Sequence, residues 1–152
     1  MVPERIVLRE ASILTAKDVL FHWDSTYSVN IGILDTQHKT LVAMVNDLHQ
    51  AMTEGSGKDK LGGILSNLIK YTQGHFATEE RLMQSHGYPA FLAHKSEHDG
   101  LSKTVLDLQH RFLANQVGMS IEVMEFLRDW LVKHILGSDK KYMPFLNANG
   151  VR

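Results

Sequence analysis

The stretch HFATEERLMQSHGYPAFLAHKSEH (residues 75–98) contains four histidines and three glutamates within 24 residues. Its apolar residues recur at steps of three and four, the spacing that places side chains on one face of an α-helix. Gly87 and Pro89 interrupt this pattern. Glycine often follows the last residue of a helix and proline is common just beyond it, so the two residues indicate a helix end. The stretch therefore predicts two helices joined by a tight turn, with ionisable residues at inward positions on both.

The same spacing predicts four amphipathic helices in the chain. The first covers roughly residues 36–53 with Asp35 as its N-cap, and the second follows the polar tract EGSGKDK and ends at Gly87. The third begins near Pro89, and Ser120 can cap the fourth. Short polar connections between such helices favour an all-α fold, an antiparallel up-down-up-down four-helix bundle.

The N-terminal region lacks a long helical period and is predicted to form an arm along the bundle. Trp23, Tyr27, Val29 and Ile31 would pack it down, and residues 12–21 could add a short helix. We therefore divide the chain into an N-terminal extension (residues 1–20) and a four-helix-bundle domain (residues 21–152).

Composition removes several classes of function. Sixteen basic and seventeen acidic side chains nearly cancel, so neither nucleic acid nor an anionic membrane surface is an expected partner. Without cysteine there is no disulfide, no thiolate nucleophile and no cysteine-ligated metal. Charged residues interrupt the apolar N-terminal segment, so we expect no signal peptide, no membrane insertion and a cytoplasmic location.

Five polar side chains occupy inward positions where the pattern calls for leucine or valine: His75, Glu79, His94, His98 and His134. Burying one such group without a partner costs about 1–3 kcal/mol, and a whole domain is stable by only about 5–15 kcal/mol. These residues must therefore satisfy one another or share a ligand.

Their spacing indicates a shared site. His75 and Glu79 are four residues apart, as are His94 and His98, so each pair lies on one helical face. His38 begins the inward stripe of the first helix, so its side chain is expected to reach the bundle interior from a different helix than the two pairs.

Asp139 is a special case, because it follows His134 by five residues and an ideal α-helix would place the two about 140° apart. Either the helix ends or bulges at Gly137 and Ser138, or Asp139 is an ordinary surface residue.

The complete set of candidate ligands is His38, His75, Glu79, His94, His98, His134 and Asp139. Seven ligands exceed the four of a structural zinc site, and the absence of cysteine disfavours blue-copper and iron-sulfur sites. Two adjacent metals bridged by two carboxylates fit the number better. Imidazole ligands suit iron, zinc, copper or nickel, so the residues alone leave the metal open.

The sequence resembles the bacterial hemerythrins through four ordered motifs: DTQHK (residues 35–39), HFATEE (75–80), HKSEH (94–98) and WLVKHILGSDKKY (130–142). The resemblance covers roughly residue 23 to the C-terminus and implies two iron ions in a non-haem, oxo- or hydroxo-bridged centre that binds O2 reversibly. It assigns His94, His98 and His134 to one iron, His38 and His75 to the other, and Glu79 and Asp139 as bridges. The iron with two histidines then has one position left for O2.

Three apolar residues next to, or one turn from, these ligands are candidate walls of an O2 pocket: Phe76, Trp130 and Leu131. The alternative is that they are ordinary core residues, since such stripes usually are. Glu80 and Glu97 are predicted to point away from the inward stripe into solvent. The remaining histidines (His22, His49, His86 and His110) are predicted not to bind metal.

The first functional hypothesis is a binding protein and not an enzyme: an O2 carrier, store or delivery module. The alternative is an O2 or redox sensor, and a protein partner would read the signal or receive the O2. A third interpretation is a di-iron oxidase, or an enzyme that handles peroxide or nitric oxide. The histidine-rich ligand set counts against it, because ferritin-like di-iron proteins use mostly glutamates.

Overall fold

The computed structural model describes residues 19–152. The four long helices are α1 (Gly32–Thr53), α2 (Lys58–Ser85), α3 (Phe91–Leu113) and α4 (Ile121–His134). A five-residue π-helical segment (Ile135–Asp139) connects α4 to α5 (Lys140–Ala148). α1 packs against α2 and α4, and α2 packs against α3, which confirms the predicted four-helix bundle. No strand occurs between residues 19 and 152.

The N-terminal end of α1 differs from the prediction. The helix begins at Gly32, and its N-cap is Ile31, whose side chain makes no capping hydrogen bond. Asp35 lies within the first turn, where its carboxylate accepts hydrogen bonds from the Val29 N–H at 2.8 Å and from the Ser28 hydroxyl at 2.6 Å. The Asp35 carboxylate therefore fixes the segment before the helix. It does not cap the helix by accepting from the free N–H groups of its first turn.

The turn between α2 and α3 follows the prediction. Gly87 comes two residues after the end of α2 and has a φ of +73°, a left-handed conformation that glycine adopts without steric cost. The Tyr88 N–H donates to the Met83 carbonyl at 2.8 Å and closes the end of the helix. Ser120 caps α4 as predicted, since its hydroxyl accepts from the Val123 N–H.

Residues 19–31 lie along the bundle as the predicted arm. Val29 and Ile31 are buried, and Trp23 and Tyr27 pack against the core. The Asn46 side chain both accepts from the Phe21 N–H and donates to the Phe21 carbonyl, each at 2.9 Å. Most of the predicted short helix and of the predicted extension lies outside the described residues, and the division near residue 20 stays a prediction.

Two apolar clusters form the core, with a polar layer between them. The larger cluster contains Leu41 of α1 and Phe76 of α2, and the smaller contains Leu34 of α1 and Met83 of α2. His38 and Glu79 lie between these pairs along the two helices, so the candidate ligands are enclosed by apolar side chains from above and below. None of the helices between residues 19 and 152 has the length and hydropathy needed to cross a membrane.

The π-helical segment resolves the spacing of His134 and Asp139. A π-helical turn is wider than an α-helical one and brings residues five apart onto one face. Asp139 consequently points inward and is fully buried. The bulge was one of the two predicted outcomes, whereas the continuation into α5 was not predicted.

Candidate metal centre

All seven predicted ligands meet in the polar layer, and each is at most 4% exposed: His38, His75, Glu79, His94, His98, His134 and Asp139. Their donor atoms form two groups in which all atoms lie within 4.8 Å of one another. One group contains three histidines (His94, His98 and His134), and the other contains His38 and His75. Glu79 and Asp139 belong to both groups.

Asp139 directs one oxygen at each group. Its Oδ1 lies 3.0 Å from Nε2 of both His94 and His134, and its Oδ2 lies 3.0 Å from Nε2 of His38. The wide π-helical turn makes this orientation accessible from the helix that also carries His134.

Glu79, on α2, likewise directs one carboxylate oxygen at each donor group. Its Oε1 lies 3.1 Å from Nε2 of His98, whereas its Oε2 lies 3.1 Å from Nε2 of His38 and 3.2 Å from Nε2 of His75. The two carboxylates thus span the same two groups from different helices, as bridging ligands would.

The hydrogen bonding of the layer supports a bound cation. Glu79 Oε1, His94 Nε2 and both Asp139 oxygens are buried without a well-oriented hydrogen-bond partner among residues 19–152. A buried polar atom left in this state costs about 1–3 kcal/mol. These same atoms face into the two donor groups, and imidazole with carboxylate suits a transition metal, so the residues fit a pair of metal ions.

The electrostatics of the layer are those of a strongly coupled cluster. Burial opposes protonation of His38, but hydrogen bonds with Asp139 and Glu79 outweigh it and raise the pKa of His38 to about 10. The same balance raises the pKa of His94 to about 9. Burial and the charge of Glu79 would raise the pKa of Asp139, yet the surrounding histidines hold it below its usual range. In the protein alone, protons on the imidazoles therefore compensate the two carboxylates.

Glu80 and Glu97 lie off the inward stripe, as predicted, but both also contact a candidate ligand, which was not predicted. The Nδ1–H of His98 donates to Glu80 Oε2 at 2.8 Å, and the Nδ1–H of His134 donates to Glu97 Oε1 at 2.9 Å. The glutamate side chains are 20% and 48% exposed, so they reach from the surface to the outer edge of two candidate ligands. Hydrogen bonds of this kind orient a metal-binding imidazole and fix the tautomer that presents Nε2 to the metal.

Two further residues were not found from the sequence. Gln37 Oε1 accepts from the Nδ1–H of His75 at 2.7 Å. The Tyr142 hydroxyl, fully buried on α5, donates to Glu79 Oε2 at 2.5 Å. Burial and the charges of Glu79 and Asp139 raise the pKa of Tyr142 well above its ordinary value, so this hydroxyl stays a donor.

The three candidate pocket residues occupy different positions. Phe76 stacks on His98 with ring centroids 3.7 Å apart, and Trp130 stacks on His134 at 4.4 Å. Leu131 lines a small apolar cavity of about 30 Å³ inside the bundle. Phe76 and Trp130 thus pack on the three-histidine group, and their role as walls of an O2 pocket stays a prediction.

Comparison with known proteins gives consistent results. The family model described as "Hemerythrin HHE cation binding domain" matches residues 29–146. A bacteriohemerythrin of Methylococcus capsulatus is 42% identical over 130 residues, which cover 85% of this chain and 98% of the relative. A bacteriohemerythrin of Stenotrophomonas maltophilia is 35% identical over 130 residues, with 86% and 84% covered.

Solved structures agree with these relatives. The crystal structure of a wild-type hemerythrin superposes with a TM-score of 0.79 at 43% identity, over 84% of this chain and 98% of the other. A hemerythrin mutant gives a TM-score of 0.81 at 41% identity over the same shares.

Proposed function

The chain belongs to the hemerythrin family, and from this premise we propose that it binds O2 reversibly at a di-iron centre, as an oxygen carrier, store or delivery protein. One observation carries the proposal: two donor groups share two carboxylates but contain unequal numbers of histidines, three and two. Such a set can hold two ions with different numbers of protein ligands.

The proposed ligands are those assigned from the sequence. His94, His98 and His134 would hold one iron, His38 and His75 the other, and Glu79 and Asp139 both. Two ferrous ions would supply the electrons for O2 binding, and the ion with fewer histidines would offer the position for it.

The protein residues would keep this chemistry reversible in two ways. All seven proposed ligands are at most 4% exposed and lie between two apolar clusters, which limits access of water and protons. Five of the seven are neutral when they bind metal, so they stabilise a ferric pair less than the glutamate-rich set of ferritin-like proteins. Both features favour release of O2 over permanent oxidation.

The test is an absorption spectrum of the iron-loaded, anaerobically reduced protein, recorded before air, after air and after purging with argon. Reversible binding predicts a visible charge-transfer band that appears with air and disappears on purging. Rapid and irreversible oxidation would contradict the proposal, and consumption of O2 on repeated reduction would indicate an oxidase. A change of hydrodynamic shape that accompanies the band would indicate a sensor.

Iron analysis of matched variants tests the ligands themselves. His134→Gln should lose iron, since it removes a proposed ligand from the three-histidine group. His49→Gln is the control, because His49 belongs to neither donor group. Equal iron content in both variants would contradict the assignment of His134.

A further inference from the structure

Two of the outer hydrogen bonds follow one pattern in the sequence. Glu80 is the neighbour of Glu79 on α2 and accepts from Nδ1 of His98 on α3 at 2.8 Å. Glu97 is the neighbour of His98 on α3 and accepts from Nδ1 of His134 on α4 at 2.9 Å. In each case, a residue next to one proposed ligand holds a proposed ligand on the following helix.

The two-histidine group follows the same pattern without the charge. Gln37, the neighbour of His38 on α1, accepts from Nδ1 of His75 on α2 at 2.7 Å through a neutral amide. Nδ1 of His38 is buried and has no hydrogen-bond partner among residues 19–152. Both outer carboxylates therefore serve the three-histidine group, and neither serves the two-histidine group.

A carboxylate and an amide differ in what they do to the imidazole. Either acceptor fixes the Nδ1–H tautomer and the ring orientation, so that the Nε2 lone pair is available for metal. The anion also increases the basicity of that nitrogen and stabilises positive charge on the ion. The imidazoles of the two groups are therefore not equivalent donors.

We propose that Glu80 and Glu97 are positioning residues that strengthen metal binding by the three-histidine group, while the neutral Gln37 leaves the two-histidine group weaker. The inference rests on the proposed metal centre. If so, the two ions bind with different affinities. The difference then comes partly from the number of histidines in each group and partly from the residues that accept hydrogen bonds from their Nδ1 atoms.

The surroundings of Glu97 make it the more informative position to change. Its Oε1 also accepts from the Ser138 hydroxyl at 2.7 Å, which links it to the π-helical segment. Glutamine has nearly the same shape as glutamate and keeps one acceptor oxygen, and the Glu97 side chain is 48% exposed, so Glu97→Gln removes the charge with little change in packing. Glu80 is less exposed, at 20%.

The experiment is a titration of the metal-free 152-residue chain with Zn²⁺ alone, in competition with a chromophoric chelator, to obtain two dissociation constants. Glu80→Gln and Glu97→Gln should each weaken the tighter step by about tenfold or more, the lower end of the range for lost outer partners of metal ligands. The reciprocal variant Gln37→Glu should lower the dissociation constant of the weaker step and so reduce the difference between the two dissociation constants.

Glu125→Gln is the matched control. Glu125 is exposed on α4, nine residues before His134, which is about 13 Å along a helix axis. It removes the same charge without touching a proposed ligand, and both dissociation constants should stay at their wild-type values.

A second measurement separates electronic positioning from a general structural effect. In the iron-loaded protein, Glu97→Gln should raise the reduction potential, because loss of an anion disfavours the ferric state, and Glu125→Gln should not. The inference is overturned if the glutamate variants match Glu125→Gln, or if both binding steps weaken equally. Failure of the wild-type protein to bind two Zn²⁺ would instead contradict the proposed metal centre. Should Glu80→Gln fail to fold, Glu97→Gln and Gln37→Glu still decide the question.

Discussion

Leu131 and Leu127 offer a matched pair for the proposed O2 pocket. Both are at most 7% exposed and line the same apolar cavity, one helical turn apart on α4. Substitution of either by alanine should lower the free energy of unfolding by about 2–5 kcal/mol, because each leaves a void in the bundle. Leu131 is also one turn before His134, so only Leu131→Ala should speed autoxidation of the oxygenated protein.

The measurement is the decay of the O2-dependent absorption band in each variant. If autoxidation is unchanged in Leu131→Ala, this residue does not form a wall of the pocket. If it rises equally in Leu127→Ala, the effect comes from loosened packing and not from the position of Leu131.

The protonation of the buried histidines predicts a pH-dependent stability for the protein after removal of metal by chelation. The pKa values of His38 and His94 are raised from 6.5 to about 10 and about 9. A raised pKa means that the folded state holds its proton more tightly than the unfolded state does. This stabilisation is fully present below about pH 6.5 and is lost as the pH rises through 9 and 10.

Urea unfolding of the chelated protein between pH 6 and pH 10 measures this change, and the free energy of unfolding should fall over that range. Zn²⁺ affinity should rise over the same range, because the metal must displace those protons. A stability that stays constant from pH 6 to pH 10 would contradict the coupling of His38 and His94 to the carboxylates.

Residue-level prediction succeeded where the helical period alone determines the outcome. His75 and Glu79 lie on the inward stripe of one helix, so their burial follows from spacing. Glu80 and Glu97 are each one residue off a stripe, a rotation of 100° that points a side chain toward the flank of its helix. Whether a flank faces water or a histidine depends on the adjacent helix, which the periodicity of a single helix does not contain.

The ends of the helices, likewise, could be predicted only where local chemistry determines them. Gly87 and Ser120 could be assigned because local chemistry determines their role, a left-handed turn and a side-chain cap. Asp35 had the right residue type for a cap but bonds to residues before the helix. No role is predicted for Tyr142, because its position depends on the continuation of the chain through the π-helical segment into α5, which the helical period does not indicate.

Two glycines should respond in opposite directions to the same substitution. Gly137 lies in the π-helical segment without a positive φ, and a Cβ there would meet nothing within 4 Å. Gly137→Ala should therefore stabilise the protein by about 0.4–1 kcal/mol, because alanine restricts the unfolded chain. Gly87 has a φ of +73°, so Gly87→Ala should destabilise it by about 1–2 kcal/mol.

Thermal or urea unfolding of both variants checks this pair, and iron content should match the wild-type protein in each. A loss of stability in Gly137→Ala would show that the π-helical segment needs the conformational freedom of glycine at this position.

The layer of proposed ligands lies between two apolar clusters of different size. The end of the molecule that holds the smaller cluster should depend more on bound metal for its stability. The polar layer separates a cluster of seventeen buried residues from one of six. The smaller cluster joins the arm, through Val29 and Ile31, to α5, through Tyr142 and Leu146. Hydrogen bonds from Lys140 to the Ser28 carbonyl and between Asn30 and Asn147 close the same end.

Because the smaller cluster buries less apolar surface, its attachment to the bundle depends more on the layer between them. Chelation of the metals should therefore increase amide hydrogen exchange most in α5 and in residues 28–34. Exchange near Leu48 and Leu65 of the larger cluster should change least. The comparison is hydrogen exchange of the iron-loaded and chelated protein, with Asp139→Asn as a variant that weakens a proposed bridge without removing an apolar contact. A uniform increase along the chain would mean that the two clusters unfold as one unit, and that the metal layer stabilises the bundle without setting an order among its parts.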